Sequence, residues 1–462
     1  MTTGDHAVGA RLLGPGRGRE ESRADGRRRR VDVPRSAHAG WRAPPDRPDP
    51  ITLLEARHVP RVPELVPIRV GRMMVSPFTF LRGAAEVMAH DLASTPVSGL
   101  EVQACGDAHV LNFGIFATPE RHLVFDVNDF DETLPGPWEW DVKRLAASMD
   151  VACRTLGFEV EVRHAAVRAT VRSYRDHVAR LSKLSPLETW YEQVDVEAVL
   201  ALAQHQDPAT VAEAERSIRK ARHHTSVTFL PNVTEVVDGR RRIVDDPPLV
   251  QHAEHVEGIA HEMMSGYLAS LTPERRRLLQ RYEVVDAARK VVGVGSVGTH
   301  CSILLLMDHD DGAPLFLQMK EAEVSVLERY VRPSDYAHRG ERVVQGQRLV
   351  QAASDTFLGW THGRADRDYY VRQMRDMKGS VALEMLTPEG IAGYGALCGW
   401  ALGRAHSRSG EPVAISSYLG SGDQFVEAIV AFAHDYADQT ERDHAALVQA
   451  VADGRLEAVA GR

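Results

Sequence analysis

Apolar residues recur three and four apart along much of the chain. Residues 78–92, 142–156, 159–183, 186–204, 207–222 and 256–271 therefore read as helices, as do 274–282, 340–353, 387–407 and 425–451. Ser76 and Pro77 supply a cap and a first helical position ahead of Phe78. Apolar runs of strand length stand at 122–126, 302–307, 314–320, 356–360 and 369–374. Residues 239–243 and the adjoining Asp245-Asp-Pro-Pro248 mark a hairpin and a loop, and Asp311-Gly312 marks a tight turn between two strands. Residues 1–50 lack periodic apolar positions and are rich in Arg, Gly and Pro, so a disordered tail is expected there.

The order of these elements predicts an α+β protein in four stretches. The Arg/Pro/Gly-rich tail (1–50) precedes a mainly helical lobe (51–283), an antiparallel β lobe (284–380), and C-terminal helices that pack back on the helical lobe (381–462). A chain of 462 residues is long enough for two or three lobes. Its net charge of -9 gives no electrostatic reason to expect nucleic acid as a partner. There is no run of about twenty apolar residues, so no membrane span is expected. Cys105, Cys153, Cys301 and Cys398 lie far apart without a CxxC pair, which speaks against a zinc knuckle or a disulfide framework and fits a reducing cytoplasm.

Candidate chemistry is densest between residues 106 and 132. Asp107, His109, Asn112, Asp126, Asp129 and Asp131 are set among short apolar runs, and 122–126 reads as a strand returning toward Asn112. Hard oxygen donors of this kind suit magnesium that also holds phosphate oxygens. Asp141 opens the next helix and is placed either to cap it or to brace the preceding segment. A second candidate is Gly293-Val-Gly295-Ser296-Val-Gly298. Its spacing matches a dinucleotide fingerprint, but it leads into a strand rather than a helix, and Thr299 stands where a Walker A lysine would be. What fits is a glycine hairpin over nucleotide phosphates, with Lys320 on the following strand. Glu341, Glu328 or Gln345 would hold that lysine. Arg69, Arg72 and Arg82 read as surface or ion-pair arginines, with a phosphate patch as the alternative. Asp435, Asp438, Asp443 and His444 read as a solvated helix face. His261-Glu262 lacks the second histidine of a zinc-protease helix, because Ser265 holds that position.

Gly106-Asp-x-His-x-x-Asn112 followed by Asn128-Asp-Phe-Asp131 resembles the catalytic segment of aminoglycoside and choline phosphotransferases, which share the protein-kinase-like fold. The resemblance implies Asp107 as catalytic base, His109 in support, Asn112 and Asp129 on Mg2+, Asp131 as the accompanying acid and Asp141 as the brace. Cys105 departs from the histidine usual before the glycine. From about Leu65 onward the chain resembles an uncharacterised bacterial family, domain of unknown function 2252, through GDAHVLNFG, FDVNDFDETLPGPWEWDVKRLAAS, KVVGVGSVGT, GQRLVQAASD and ADQTERDHA. The kinase-like parts come in a circularly permuted order, catalytic segment first and glycine loop later. The hinge would fall near 374–379, and residues 397–406 would resemble the helix that precedes a catalytic loop. The implied function is ATP- and magnesium-dependent phosphoryl transfer to a hydroxyl acceptor, a small molecule rather than a protein. Alternatives are a nucleotide-binding regulatory module, AMP transfer, and a metal-dependent phosphohydrolase built on the Asp cluster alone.

Overall fold

The computed structural model describes residues 18–203, 208–252, 256–374 and 377–461. The architecture is mixed α+β, with helical regions around short hairpins and one larger antiparallel sheet. Five helices come first: α1 (Arg19–Asp32), α2 (Pro50–His58), α3 (Val66–Met73), α4 (Pro77–Gly83) and α5 (Ala85–Leu92). Ser76 caps α4 through a capping box with Thr79, and Pro77 takes the first position, as expected. The single helix expected over 78–92 breaks at Ala84. Arg144 binds the Leu81 carbonyl and Arg69 the Gly83 carbonyl, so arginine side chains take oxygens that a continuous helix would have used.

The expected tail needs correction from Arg19 onward, because α1 is an ordered helix. Its first turn carries Glu20 and Glu21 and its last turn Arg29 and Arg30, both favourable to the helix dipole. It docks through small residues and polar bonds, not an apolar stripe, which is why periodicity misses it. A side chain at Gly26 would collide with the Ala414 carbonyl, Arg29 donates to the Ser98 carbonyl, and Arg35 donates to that of Leu419. Arg47 forks onto both Asp91 and Asp443.

Strands β1 (Glu101–Ala104), β2 (Phe113–Ala117), β3 (Leu123–Val127) and β4 (Leu134–Pro137) form nested hairpins, β2 pairing β3 inside the β1–β4 pair. Ala104 faces Leu134 and Phe113 faces Val127, so loops 105–112 and 128–133 run side by side. There follow α6 (Trp138–Thr155), α7 (Val160–Leu181), α8 (Pro186–Tyr191), α9 (Val196–Ala203), α10 (Pro208–His223) and α11 (Ser226–Val233). Next come the hairpin β5 (Thr234–Val237) and β6 (Arg240–Ile243), then β7 (Val250–Gln251), α12 (Val256–Ser270) and α13 (Pro273–Leu279).

The larger sheet is built from β8 (Tyr282–Lys290), β9 (Cys301–Asp308), β10 (Pro314–Ala322), β11 (Gly359–His362) and β12 (Asp368–Gln373), with α14 (Arg339–Val350) between β10 and β11. Its order is β11-β12-β10-β9-β8-β7, every neighbour antiparallel. The strand over 282–290 begins where the pattern suggested the end of a helix. The chain closes with α15 (Pro388–Ser409), α16 (Pro412–Leu419) and α17 (Gln424–Ala452). The expected hinge lies partly outside the described residues; beyond them, Gly379 pairs with Ile115 of β2. The acidic face expected on α17 is not simply solvated: Asp443 holds Arg47, Asp438 holds Arg154, and His444 bonds the Met74 carbonyl.

One buried ion pair pins these regions together. Arg404 of α15 donates to both oxygens of Asp126 on β3 at 2.7 Å and to the Val350 carbonyl, while the Ala352 amide also reaches Asp126. Both side chains are essentially inaccessible. Breaking such a pair strands a buried charge, so Asp126→Ala should destabilise by about 3–5 kcal/mol. Denaturant unfolding checks this; a loss of only a few tenths of a kcal/mol would mark Asp126 as a mere strand-end residue.

Candidate functional site

The site begins at a turn that only glycine accommodates readily. Gly106 has φ +80, and a side chain there would strike the Glu132 carbonyl, so loops 105–112 and 128–133 touch at this point. Asp141, in the first turn of α6, accepts the amides of Cys105 at 2.6 Å and Gly106 at 3.0 Å. His406 of α15 bonds the same carboxylate at 3.1 Å, and Tyr174 holds the far side of that imidazole. Asp141 is thus a brace for the loop. Within the loop, Asn112 donates its side-chain amide to the Asp107 carbonyl at 2.8 Å. That fixes the Asn112 oxygen, for which no donor is found among the described residues. Arg144 of α6 binds Oδ1 of Asp107 and leaves Oδ2, 3.9 Å from His109 Nε2, more open.

The glycine loop and its lysine arrive from the sheet. Residues 291–300 connect β8 to β9, and Lys320 lies on β10 opposite Cys301 and Tyr370. Lys320 Nζ donates to Asp131 Oδ2, Tyr370 donates to Oδ1 at 2.8 Å, and Ser296 reaches Oδ2 at 3.4 Å. Gly293, Gly295, Ser296, Asp107, Asn112, Asp129 and Asp131 line one cavity of about 110 Å³. The fold therefore joins parts nearly two hundred residues apart. Glu341 is not among the partners of Lys320, and Glu328 is bound to the Ser325 and Ser334 amides. Instead α14 presents Arg342, which binds the carbonyls of Asp131, Thr133 and Glu323. Arg342 was missed because it lies one residue beyond the acid that the expected lysine partner directed attention to. Gly298 is turned away from the cavity, against the Arg61 side chain.

The family described as uncharacterized protein conserved in bacteria (DUF2252) matches residues 61–450. The chain belongs to this family. No curated protein and no solved structure matches it.

Charge is distributed unevenly in this DUF2252 site. Burial raises the Asp107 carboxyl above its ordinary range, although Arg144 opposes the shift. Burial and the neighbouring Asp131 also raise Asp129, which has no cation within ion-pair distance among the described residues. Asp131 is lowered despite its burial, because Lys320 outweighs it, and Lys320 rises in turn. Glu132 is pushed by burial to about 7 in spite of Arg57. Burial and the adjacent Arg82 and Arg144 hold His109 far below its usual range, so its ring is neutral. Of Asp107, Asp129, Asp131 and Glu132, Asp129 alone has no ion-pair partner among the described residues, and it lines the cavity with Asn112.

Among the described residues, two clusters outside this cavity have spacing suited to a metal ion: Asp150, His164 and His434, and His338, His362 and Asp368. Neither contains a cavity residue. Arg154 and Arg163 already face Asp150. The His338 Nδ1 accepts the Glu341 amide, which leaves the proton on the nitrogen that faces Asp368. A larger cavity of about 480 Å³, lined by Phe125, Ile218, Tyr394, Leu397 and Trp400, is mainly apolar. All four cysteines are free and buried. No helix among the described residues is long and apolar enough to cross a membrane.

Asp141→Ala should leave the Cys105 and Gly106 amides unpaired, at about 1–3 kcal/mol for each group. Thermal unfolding checks this expectation; an unshifted midpoint would remove Asp141 as the brace.

Proposed function

We propose that the chain is an ATP- and magnesium-dependent phosphotransferase of protein-kinase-like design in circularly permuted order, acting on a small hydroxyl acceptor. The observation that carries this reading is the contact of Lys320 with Asp131, two residues from Asp129 and beside Ser296 of the glycine loop. The sheet offers its parts in the order a kinase uses them: glycine hairpin, lysine strand, helix, two further strands. The C-terminal end of α15 lies against β1, with Ser409 accepting the Gln103 amide, which supports a permuted connection into the catalytic loop. Helix α14 departs from the scheme by offering Arg342 in place of a lysine-binding acid.

Asn112 and Asp129 suit magnesium, since both present hard oxygens and neither oxygen is bound by a cation among the described residues. Magnesium would supply charge neutralisation on the nucleotide's terminal phosphates. Lys320 orients the phosphates, and Asp107 accepts the acceptor's proton on Oδ2 as the new O–P bond forms and the bond to the leaving phosphate oxygen breaks. Arg144 holds Asp107 in position, and neutral His109 fills the loop behind it.

A second reading, a nucleotide-binding module without turnover, is favoured by one feature. The sheet face that carries Lys320 is otherwise covered, Phe229 of α11 packing edge-on against Phe316 at 5.1 Å and Ile243 adding to the same cluster. A nucleotide base stacked on that face would have to displace this segment.

Calorimetry with Mg2+ and ATP separates the readings. Removing a charge-assisted contact costs about 1.5–3 kcal/mol, so Lys320→Ala and Asp129→Ala should each weaken ATP by about tenfold or more. Unchanged affinity in both would refute the nucleotide site. Asp107→Ala should keep ATP binding and abolish slow phosphoryl transfer to water; turnover equal to wild type would remove Asp107 as the base.

A further inference from the structure

The wall of the cavity facing Asp107 and Asp129 is built from arginines that the kinase-like scheme does not use. Arg57, Arg61, Arg69 and Arg82, from residues 50–92, line the same cavity as the glycine loop and the carboxylates. Two of them are paired: Arg57 faces Glu323 at 3.4 Å and Glu132 at 3.7 Å, and Arg61 faces Glu323 at 3.5 Å. The other two have no acidic partner within 4 Å among the described residues. Arg69 is 2% exposed and bonds only neutral groups, His58 Nε2 and the Gly83 carbonyl, both at 2.6 Å, while its Nε is unpartnered. His58 itself is held neutral, its pKa lowered to about 3 by burial and then by Arg69 and Arg61. Arg82 makes no hydrogen bond among the described residues, rests over the Phe78 ring at 6.0 Å, and has a buried, unpartnered Nε.

A buried guanidinium is costly unless an anion meets it; Arg69 is buried beside the cavity, and Arg82 is half-buried there with its Nε enclosed. The segment is firmly placed. The Val62 amide bonds the Gly298 carbonyl at 2.8 Å, Arg61 donates to Val297 and Arg72 to Gly293, so these helices hold the glycine loop by its carbonyls. Gly295 stands against the Arg82 carbonyl. The cavity's 110 Å³ is well below the range of about 300–1,000 Å³ usual for drug-sized ligands, so the groups that enter it are compact ones such as single phosphates.

We propose that Arg69 and Arg82, flanked by Arg57 and Arg61, form an oxyanion subsite for the phosphate group of a phosphorylated acceptor, separate from the phosphates at Lys320. This rests on the phosphotransferase reading for its role, though the anion site itself does not. Two guanidiniums without an ion-pair partner among the described residues suit a phosphate-monoester dianion better than a single carboxylate. An acceptor held this way would present its hydroxyl to Asp107, which lines the same cavity.

Inorganic phosphate is the probe, titrated calorimetrically into the full chain at constant ionic strength, without metal or nucleotide. Saturable binding is expected, weakened about tenfold or more by Arg82→Gln and only partly by Arg82→Lys. Arg82 has no hydrogen bond to lose, so its variants should fold; Arg69→Gln should repeat the loss. Absent phosphate binding, binding indifferent to both Arg82 variants, or acetate binding as tightly as phosphate would overturn the subsite. Phosphate should also bind alongside saturating Mg2+ and a non-hydrolysable ATP analogue, and mutual exclusion would overturn its assignment to the acceptor. Phosphate binding in a chain that ignores ATP would remove the nucleotide reading and leave the anion site standing.

Discussion

The carboxylate of Asp131 is where the two halves of the cavity meet. It receives Lys320 and Tyr370 from the sheet and Ser296 from the glycine loop, while its own carbonyl is held by Arg342 of α14. In the interior a lone ammonium or carboxylate is costly, so each partner fixes the position of the other. Asp129 lies two residues away without a cation among the described residues, and its position follows from Asp131. The nested hairpins set the depth of this loop, Asp141 and Gly106 set its turn, and the Arg404–Asp126 pair holds the strand beneath it. The geometry around the cavity thus depends on a few buried polar contacts rather than on apolar packing alone.

Much of this was legible in the residues. Periodicity located most of the helices, the capping signal at Ser76 and Pro77 was correct, and the strand–glycine loop–strand reading placed Lys320 on β10. The residues around Asp141 left capping and bracing both open, and the phosphotransferase resemblance implied the brace; in the fold its carboxylate accepts the Cys105 and Gly106 amides. Contacts carried by arginine were not legible. Helix α1 has no apolar stripe, and its docking depends on carbonyls and on Gly26, which sequence spacing cannot register. The acids of α17 looked solvated because Arg47 and Arg154, which bind Asp443 and Asp438, lie far away in sequence. Glu341, Glu328 and Gln345 stood as candidate partners of Lys320 because a kinase-like helix supplies an acid there, yet Asp131 is the carboxylate that Lys320 meets, and Arg342 faces inward.

The helices over residues 50–92 change the character of the site. They hold the glycine loop by its carbonyls and bring a cluster of like charges to a narrow cavity. Arg69 and Arg82 had read as surface or ion-pair residues, but Arg69 is buried and neither meets a carboxylate within ion-pair distance among the described residues. The cavity consequently combines this arginine wall with Asp107, Asp129 and Asp131, and Lys320 stands behind Asp131 as its ion-pair partner.

The most direct test of the central claim is electron–nuclear double resonance of Mn2+ and a non-hydrolysable ATP analogue bound to the chain carrying 13C-labelled aspartate. A metal held by Asp129 beside the phosphates should show both phosphorus-31 coupling and a carboxylate 13C coupling, and Asp129→Ala should abolish the 13C coupling alone. Phosphorus coupling without any 13C coupling in the wild-type chain would contradict the account.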